Sequence, residues 1–167
     1  MGRILKKRSV MILLALMLIM GLAPMTASAE PGTENKATSV TVSDVTLNDG
    51  DRATTDKAGT VTKRGPGEEN YNVMFSDGIL YLRNATIVAS SGNHGINANG
   101  DITIDISGTN SVTGGSNSQG AEEASDGIFA KGDIIITSTS DSNGGSLTAA
   151  GGAATYSGGI YSSGGDV

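Results

Sequence analysis

A segment that returns at a fixed interval constrains the fold of this chain more than any other feature. Residues 95–102 read Gly-Ile-Asn-Ala-Asn-Gly-Asp-Ile, residues 127–134 read Gly-Ile-Phe-Ala-Lys-Gly-Asp-Ile, and residues 159–167 repeat the pattern in part. The Gly-Ile pairs are separated by two equal steps of 32 residues. A fixed period of this length is typical of stacked supersecondary units that bury a continuous core only together. The repeat therefore predicts a solenoid.

Apolar and polar residues alternate within each unit. Ile102, Ile104 and Ile106 alternate with Asp and Thr, and Ile134 and Ile136 take the matching positions of the next unit. Period-two alternation of β-branched residues between Gly, Asn and Ser predicts β-strands. We expect these isoleucines to share one interior.

Two further short strands are expected in each unit. The first precedes the Gly-Asp pair, at residues 96–98 and 128–130. The second follows the isoleucine strand, at residues 111–113 and 146–148, with Val112 aligned to Leu147. Three strands per unit, without helical periodicity after residue 30, predict an all-β fold, a right-handed parallel β-helix.

The first 29 residues have the pattern of a signal peptide. Four Lys and Arg residues precede an apolar run at 10–23, and Ala27-Ser28-Ala29 fits the small-residue rule for cleavage. The apolar run is shorter than the roughly 20 residues of a membrane span. We therefore predict a secreted or cell-surface protein.

The rest of the chain divides by composition. Residues 30–38 are predicted as a linker, residues 39–76 as an N-terminal cap of strands with an exposed loop at 48–70, and residues 77–167 as the coils. Because the chain stops one residue into a strand of the third copy, we expect the natural protein to continue.

Charge limits the partners that we predict. Loss of the leader would leave 7 Lys and Arg against 17 Asp and Glu, a net charge of −10. Nucleic acid and anionic membrane surfaces would be repelled, whereas a bound cation is compatible. The chain has no cysteine, so disulfides do not stabilise it.

Three aspartates occupy one register of the repeat. Asp101, Asp133 and Asp166 each follow a glycine, and stacked strands would place them about 4.8 Å apart. One interpretation is a set of oxygen ligands for calcium. The other is that each carboxylate accepts hydrogen bonds from turn amides. Asp77 and Asp126, each preceding a Gly-Ile pair, form a second set with the same two interpretations.

Three aromatic residues are candidates for contact with sugar. Alternation places Tyr81, Phe129 and Tyr161 on the outside, and the last two share a register. Aromatic faces pack against the C–H surface of sugar rings. The alternative is packing against a corner loop or the next coil. The chain has no Trp.

No catalytic constellation stands out in the sequence. His94 is the single histidine, without a second histidine for zinc or an evident triad, and we interpret it as a turn residue. The chain is therefore predicted to be non-enzymatic.

The motif at 95–102 and 127–134 resembles exported bacterial carbohydrate-binding-domain proteins, and residues 71–73 and 78–87 resemble the opening rung of related surface proteins of gut and soil Firmicutes. The resemblance covers about residues 39–167. It implies a calcium-binding right-handed β-helix, related in shape to pectate lyases, with affinity for cellulose or acidic plant polysaccharide.

Three functions follow as hypotheses. The first is a non-catalytic module that binds polysaccharide or a cell-surface glycan, assisted by calcium. The second is a structural or adhesive stalk at the cell surface, and the third is a fragment of a polysaccharide lyase. Oligomeric state is not indicated by the sequence.

Overall fold

The computed structural model describes residues 35–116, 125–138 and 144–167. Within these ranges the regular secondary structure is entirely β, with no helix, which confirms the all-β prediction. In chain order the strands are β1 (Ser39–Val42), β2 (Val45–Asn48), β3 (Arg52–Thr55), β4 (Val61–Lys63), β5 (Val73–Ser76), β6 (Ile79–Arg83), β7 (Thr86–Val88), β8 (Ile96–Ala98), β9 (Ile102–Thr113), β10 (Ile128–Ala130), β11 (Ile134–Thr137), β12 (Gly145–Ala150) and β13 (Ile160–Ser162).

The Gly-Ile copies of the repeat lie side by side in a five-stranded sheet of order β13-β10-β8-β1-β2. Strands β8, β10 and β13 are parallel, with Ile96, Ile128 and Ile160 in one register. Strand β1 runs antiparallel to both β8 and β2. Residues 32 positions apart are therefore neighbours in this sheet, as the period predicts.

The second sheet has eight strands, with the main order β11-β9-β6-β5-β3-β4 and with β7 and β12 also paired to β9. Strands β6, β9 and β11 are parallel, and Ile134 lies opposite Ile102. Strands β3 to β6 pair in antiparallel fashion. Both sheets therefore mix parallel and antiparallel pairing.

Most of the alternating isoleucines face a common core. Ile102 is 1% exposed and Ile134 is 3% exposed, and Ile104 is fully buried between them in sequence. Burying one such side chain stabilises the fold by about 1.5–3 kcal/mol. The prediction of a shared interior is confirmed for these residues but is wrong for Ile136, which is 38% exposed because β11 is an edge strand in the described pairing.

The segment at 48–70 is not the exposed loop that its composition predicts. It contains β3 and β4, and β3 pairs with both β4 and β5. Ala53 on β3 is fully buried, and Val61 on β4 is 9% exposed. Hydrophobic alternation does not reveal β3 and β4 in the sequence, because Ala53 and Val61 are the only buried apolar residues of these strands and their neighbours are Thr, Arg and Lys.

Part of the predicted linker is also ordered against the repeats. Lys36 forms a parallel bridge with Asp101. Ala37 is 3% exposed, and its amide donates to the Asp101 carbonyl oxygen over 2.7 Å. The remaining linker residues, 30–34, and the predicted signal peptide at 1–29 lie outside the described residues.

The strand predicted at residues 111–113 and 146–148 pairs in a different register from the one expected. Leu147 lies opposite Asn110, and Ala149 lies opposite Val112. The second unit therefore inserts five residues between its strands, where alignment of Val112 with Leu147 implies three. The insertion overlaps residues 139–143, which lie outside the described part.

In the described part of the chain, none of the secondary structure is a helix of the length and apolarity needed to cross a bilayer.

Candidate functional site

The three aspartates proposed as metal ligands stack in consecutive repeats. The Asp133 amide donates to Asp101 Oδ1 over 2.9 Å, and the Asp166 amide donates to Asp133 Oδ1 over 2.7 Å. Each of these two carboxylates thus accepts a hydrogen bond from a backbone amide of the following unit, and not from an amide of its own turn. We call this series of Asp101, Asp133 and Asp166 the aspartate ladder. The hydrogen bonds reduce the electrostatic cost of placing carboxylates in adjacent repeats.

The ladder explains why a glycine precedes Asp133 and Asp166. A Cβ on Gly132 would overlap Asp101 Oδ1, and a Cβ on Gly165 would overlap Asp133 Oδ1. The carboxylate of one unit therefore occupies the space that any larger residue in the next unit would need. At these two positions the glycine is a steric requirement of the stacking, whereas a Cβ on Gly100 would instead overlap the Asn35 carbonyl oxygen.

A groove of about 320 Å³ runs beside the ladder. Its polar lining includes Lys36, Asp77, Asp101 and Asp133, and its apolar lining includes Ile135. Lys36 Nζ lies 3.5 Å from Asp77 Oδ1. In the described ranges, no three His, Asp or Glu side chains are arranged to hold a metal ion. A calcium ion here would therefore need backbone carbonyls or waters among its six to eight oxygen ligands.

Phe129 and Tyr161 lie next to each other on the five-stranded sheet. They are opposite residues of β10 and β13, with ring centroids 5.9 Å apart and ring planes tilted by 33°. The His94 imidazole stacks on Phe129, with centroids 4.7 Å apart and planes within 14°. We call these three rings the aromatic column. Tyr161 is 52% exposed, so the column is open to solvent at this ring.

His94 is held in the column by Asp126, which the 32-residue step places one repeat later. His94 Nδ1 accepts the Asp126 amide hydrogen over 3.0 Å, which leaves the ring proton of neutral His94 on Nε2. Burial lowers the pKa of His94, and the nearby Asp126 carboxylate offsets part of this shift. His94 is thus a structural acceptor, and it follows the turn at Ser91 and Gly92 without being part of it. The spacing of 32 was the signal in the sequence that could have revealed this contact.

The Asp126 carboxylate is buried in the same place. Its Oδ1 accepts the Gly158 amide hydrogen over 2.6 Å, while Oδ2 lies 3.4 Å from His94 Nδ1 and has no hydrogen-bond partner among the described residues. Asp77, in contrast, has a side chain that is 84% exposed and lies in the groove. The structure therefore does not bring Asp77 and Asp126 together as equivalent members of one set.

Tyr81 is separated from the aromatic column by its position in the fold. It lies on β6 of the eight-stranded sheet, between Met74 and Asp105 of the neighbouring strands. Of the three residues proposed to contact sugar, the structure therefore brings together Phe129 and Tyr161, and adds His94 in place of Tyr81.

No family model, curated protein or solved structure matches this chain.

Proposed function

We propose that this chain is a non-catalytic carbohydrate-binding module, secreted or held at the cell surface, which binds a polysaccharide or surface glycan along the aromatic column. The observation that carries the proposal is the pairing of Phe129 with Tyr161 on adjacent strands. Sugar rings present C–H faces to such aromatic surfaces, and successive rings of a glycan can contact successive aromatic residues.

The same proposal includes a right-handed parallel β-helix for the repeats. It is supported by the parallel registers of Ile96 with Ile128 and of Ile102 with Ile134. A coil of this kind repeats its surface residues at a constant spacing. Repetition suits an extended ligand such as a glycan, whose own units also repeat.

Calcium at the aspartate ladder remains a prediction of this proposal. One oxygen of Asp101 and one of Asp133 already accept amide hydrogens, so the ion would use the other oxygen of each. Thermal melting in excess CaCl₂ should then exceed melting in EDTA for the wild type, and this difference should vanish in the Asp101→Asn, Asp133→Asn double variant. Identical melting curves of the wild type in the two conditions would remove calcium from the proposal.

Retention on insoluble glycans tests sugar binding. The wild type should be retained on at least one of cellulose, pectin and host glycans, and Tyr161→Ala should be retained about fivefold less, because an aromatic contact contributes on the order of 1 kcal/mol. Tyr156→Ala is the matched control, since Tyr156 is 67% exposed and does not belong to the column.

Two results would replace this function with one of its alternatives. Absence of wild-type retention on every glycan would contradict glycan binding and favour the structural stalk. Release of unsaturated sugars, detected by ultraviolet absorbance, would favour the polysaccharide lyase.

A further inference from the structure

A second polar surface lies in the N-terminal part of the fold, away from both the ladder and the aromatic column. It is a cleft of about 450 Å³ between the β3–β4 hairpin and the segment that leads into β5. Its lining is polar throughout and includes Thr54, Asp56, Thr62, Arg64, Asn70 and Tyr71. We call it the cap cleft. Its volume falls within the roughly 300–1,000 Å³ of small-ligand sites, but its lining differs from the apolar walls that most of them have.

Several polar side chains of the cap cleft have no hydrogen-bond partner within the described residues. Thr54 and Thr62 lie opposite each other on β3 and β4. Neither of their hydroxyls, nor the side-chain amide of Asn70, has a hydrogen-bond partner within the described residues. Thr62 and Asn70 are exposed, so a ligand in the cleft can reach them. An apolar ligand would leave these groups unpaired at a cost in free energy, whereas a ligand with many hydroxyls would satisfy them.

The walls of the cleft are held in place by other contacts. Asn72 accepts the Thr55 amide hydrogen over 2.8 Å and donates to Thr55 Oγ1 over 2.9 Å. The Arg52 guanidinium lies 4.5 Å from the centroid of the Tyr71 ring. A site whose side chains are already oriented loses less conformational entropy when a ligand binds.

The charges around the cleft are balanced. Arg64 lies 3.4 Å from Glu68, and Arg52 donates to the Glu68 carbonyl oxygen. Amide hydrogen bonds from Thr60 and its neighbours lower the pKa of Asp56, so this carboxylate is ionised at neutral pH. The charged residues that line the cleft are thus one of each sign, Arg64 and Asp56. This balance favours a neutral ligand over an anionic one.

We propose that the cap cleft binds one unit of a neutral saccharide. Its hydroxyls would donate to Asp56 and accept from Asn70 and the Arg64 guanidinium, with the ring of Tyr71 against a C–H face. This inference rests on the proposed function and adds to it a second, independent sugar site.

Nuclear magnetic resonance titration of the full chain with cellohexaose, xylohexaose and mannohexaose tests the proposal. At least one of these should shift the amide signals of Thr54 and Thr62, and should still do so in Tyr161→Ala. Thr62→Val and Asn70→Ala should each weaken binding at these signals by about 3- to 10-fold, which is the effect of one lost hydrogen bond. Thr148→Val on β12, an exposed threonine outside the cleft, should leave binding unchanged.

The outcomes separate the two sites. Shifts confined to β10 and β13 would overturn the cap site and leave the proposed function standing. Shifts at neither place with any of the three sugars, together with no retention on insoluble glycans, would overturn both. Stronger binding of hexagalacturonate than of every neutral hexasaccharide at the Thr54 and Thr62 signals would also overturn the neutral-saccharide site, because the charge argument would then be wrong.

Discussion

At the scale of single residues, the glycines that precede the ladder aspartates are constrained by their neighbours and not by their own backbone angles. Gly132 is not among the positive-φ residues of the described chain. Its missing side chain instead makes room for the Asp101 carboxylate of the preceding unit. The choice of glycine at position 132 thus depends on packing against the preceding unit, where Asp101 accepts a hydrogen bond from the Asp133 amide.

Substitution of Gly132 should therefore destabilise the fold although its backbone angles permit alanine. We expect Gly132→Ala to lower the free energy of unfolding by about 1–3 kcal/mol, since the added Cβ must displace the Asp101 side chain or the backbone beside it. Chemical denaturation measures the change. Gly65→Ala is the control, because its Cβ would have only Glu68 Oε1 nearby at 3.4 Å. Equal stability of the two variants would contradict the steric explanation.

His94 should make the stability of the protein depend on pH in a defined window. Burial lowers its pKa below the ordinary value of 6.5, so the unfolded chain binds a proton more readily than the folded one. The stabilisation is complete above pH 6.5 and is lost as the pH falls through the folded-state pKa. Protonation at Nδ1 would also remove the acceptor of the Asp126 amide.

The contribution of His94 can be separated from that of the carboxylates. Asp51, hydrogen-bonded to Lys63, and Asp56 have pKa values lowered from 3.8, so their stabilisation is lost only at more acidic pH. Urea denaturation of the wild type between about pH 4.5 and 6.5 should show stability falling with pH, and His94→Gln should show a shallower slope. Parallel slopes for the two proteins would assign the effect to another group.

At the scale of secondary-structure elements, one asparagine connects three neighbouring segments around β9. Asn110 is 1% exposed. Its Oδ1 accepts the Ala85 amide hydrogen over 2.9 Å, and its Nδ2 donates to the carbonyl oxygens of Ser107 and Ser146. It therefore satisfies backbone groups at the point where β7, β9 and β12 meet.

Removal of this side chain should loosen the alignment of those strands. Asn110→Ala leaves the Ala85 amide without its acceptor, and we expect it to lower the free energy of unfolding by about 1–3 kcal/mol. Thr109→Ala on the exposed face of β9 is the matched control and should change stability by less than about 0.5 kcal/mol. Similar values for both variants in chemical denaturation would show that Asn110 is not a structural link.

The repeated elements were predictable from the sequence because the repeat itself supplies the register. Gly-Ile and Gly-Asp at constant spacing place Ile128 opposite Ile96 and Asp133 beside Asp101, and the structure has both. The β3–β4 hairpin was missed because its apolar face is reduced to little more than Ala53. Alternation cannot reveal a strand whose buried positions are so few.

The parts of the candidate site that escaped prediction depend on contacts that do not repeat. Asn97 occupies the register of Phe129 in the first unit, so no aromatic residue is expected there, yet the His94 ring reaches Phe129 from a neighbouring position. The cap cleft likewise combines residues of β3 and β4 with the segment before β5, and no motif marks them. Such sites appear only when strands distant in sequence are paired.

At the scale of the whole molecule, each strand of the repeats is stabilised by its immediate neighbours. Strand β8 lies between β1 and β10, and β6 lies between β5 and β9. In the described pairing, β13 is bonded only to β10, and β4 is bonded only to β3. In stacked structures, local stability depends mainly on such nearest-neighbour interfaces.

Hydrogen–deuterium exchange should therefore follow the number of neighbours of each strand and not its place in the chain. Amides of β6 and β8 should exchange slowly, because both of their edges are paired, whereas amides of the edge strands β4 and β13 should exchange fast although these strands lie in different sheets and more than 90 residues apart. Exchange resolved by peptide mass spectrometry measures this pattern, and β4 serves as the control for β13. Fast exchange in β13 with slow exchange in β4 would instead attribute protection to the antiparallel pairing of β3 to β6. Uniform exchange across all four strands would mean that the sheets open only as one cooperative unit, and nearest-neighbour stacking would then not describe this fold.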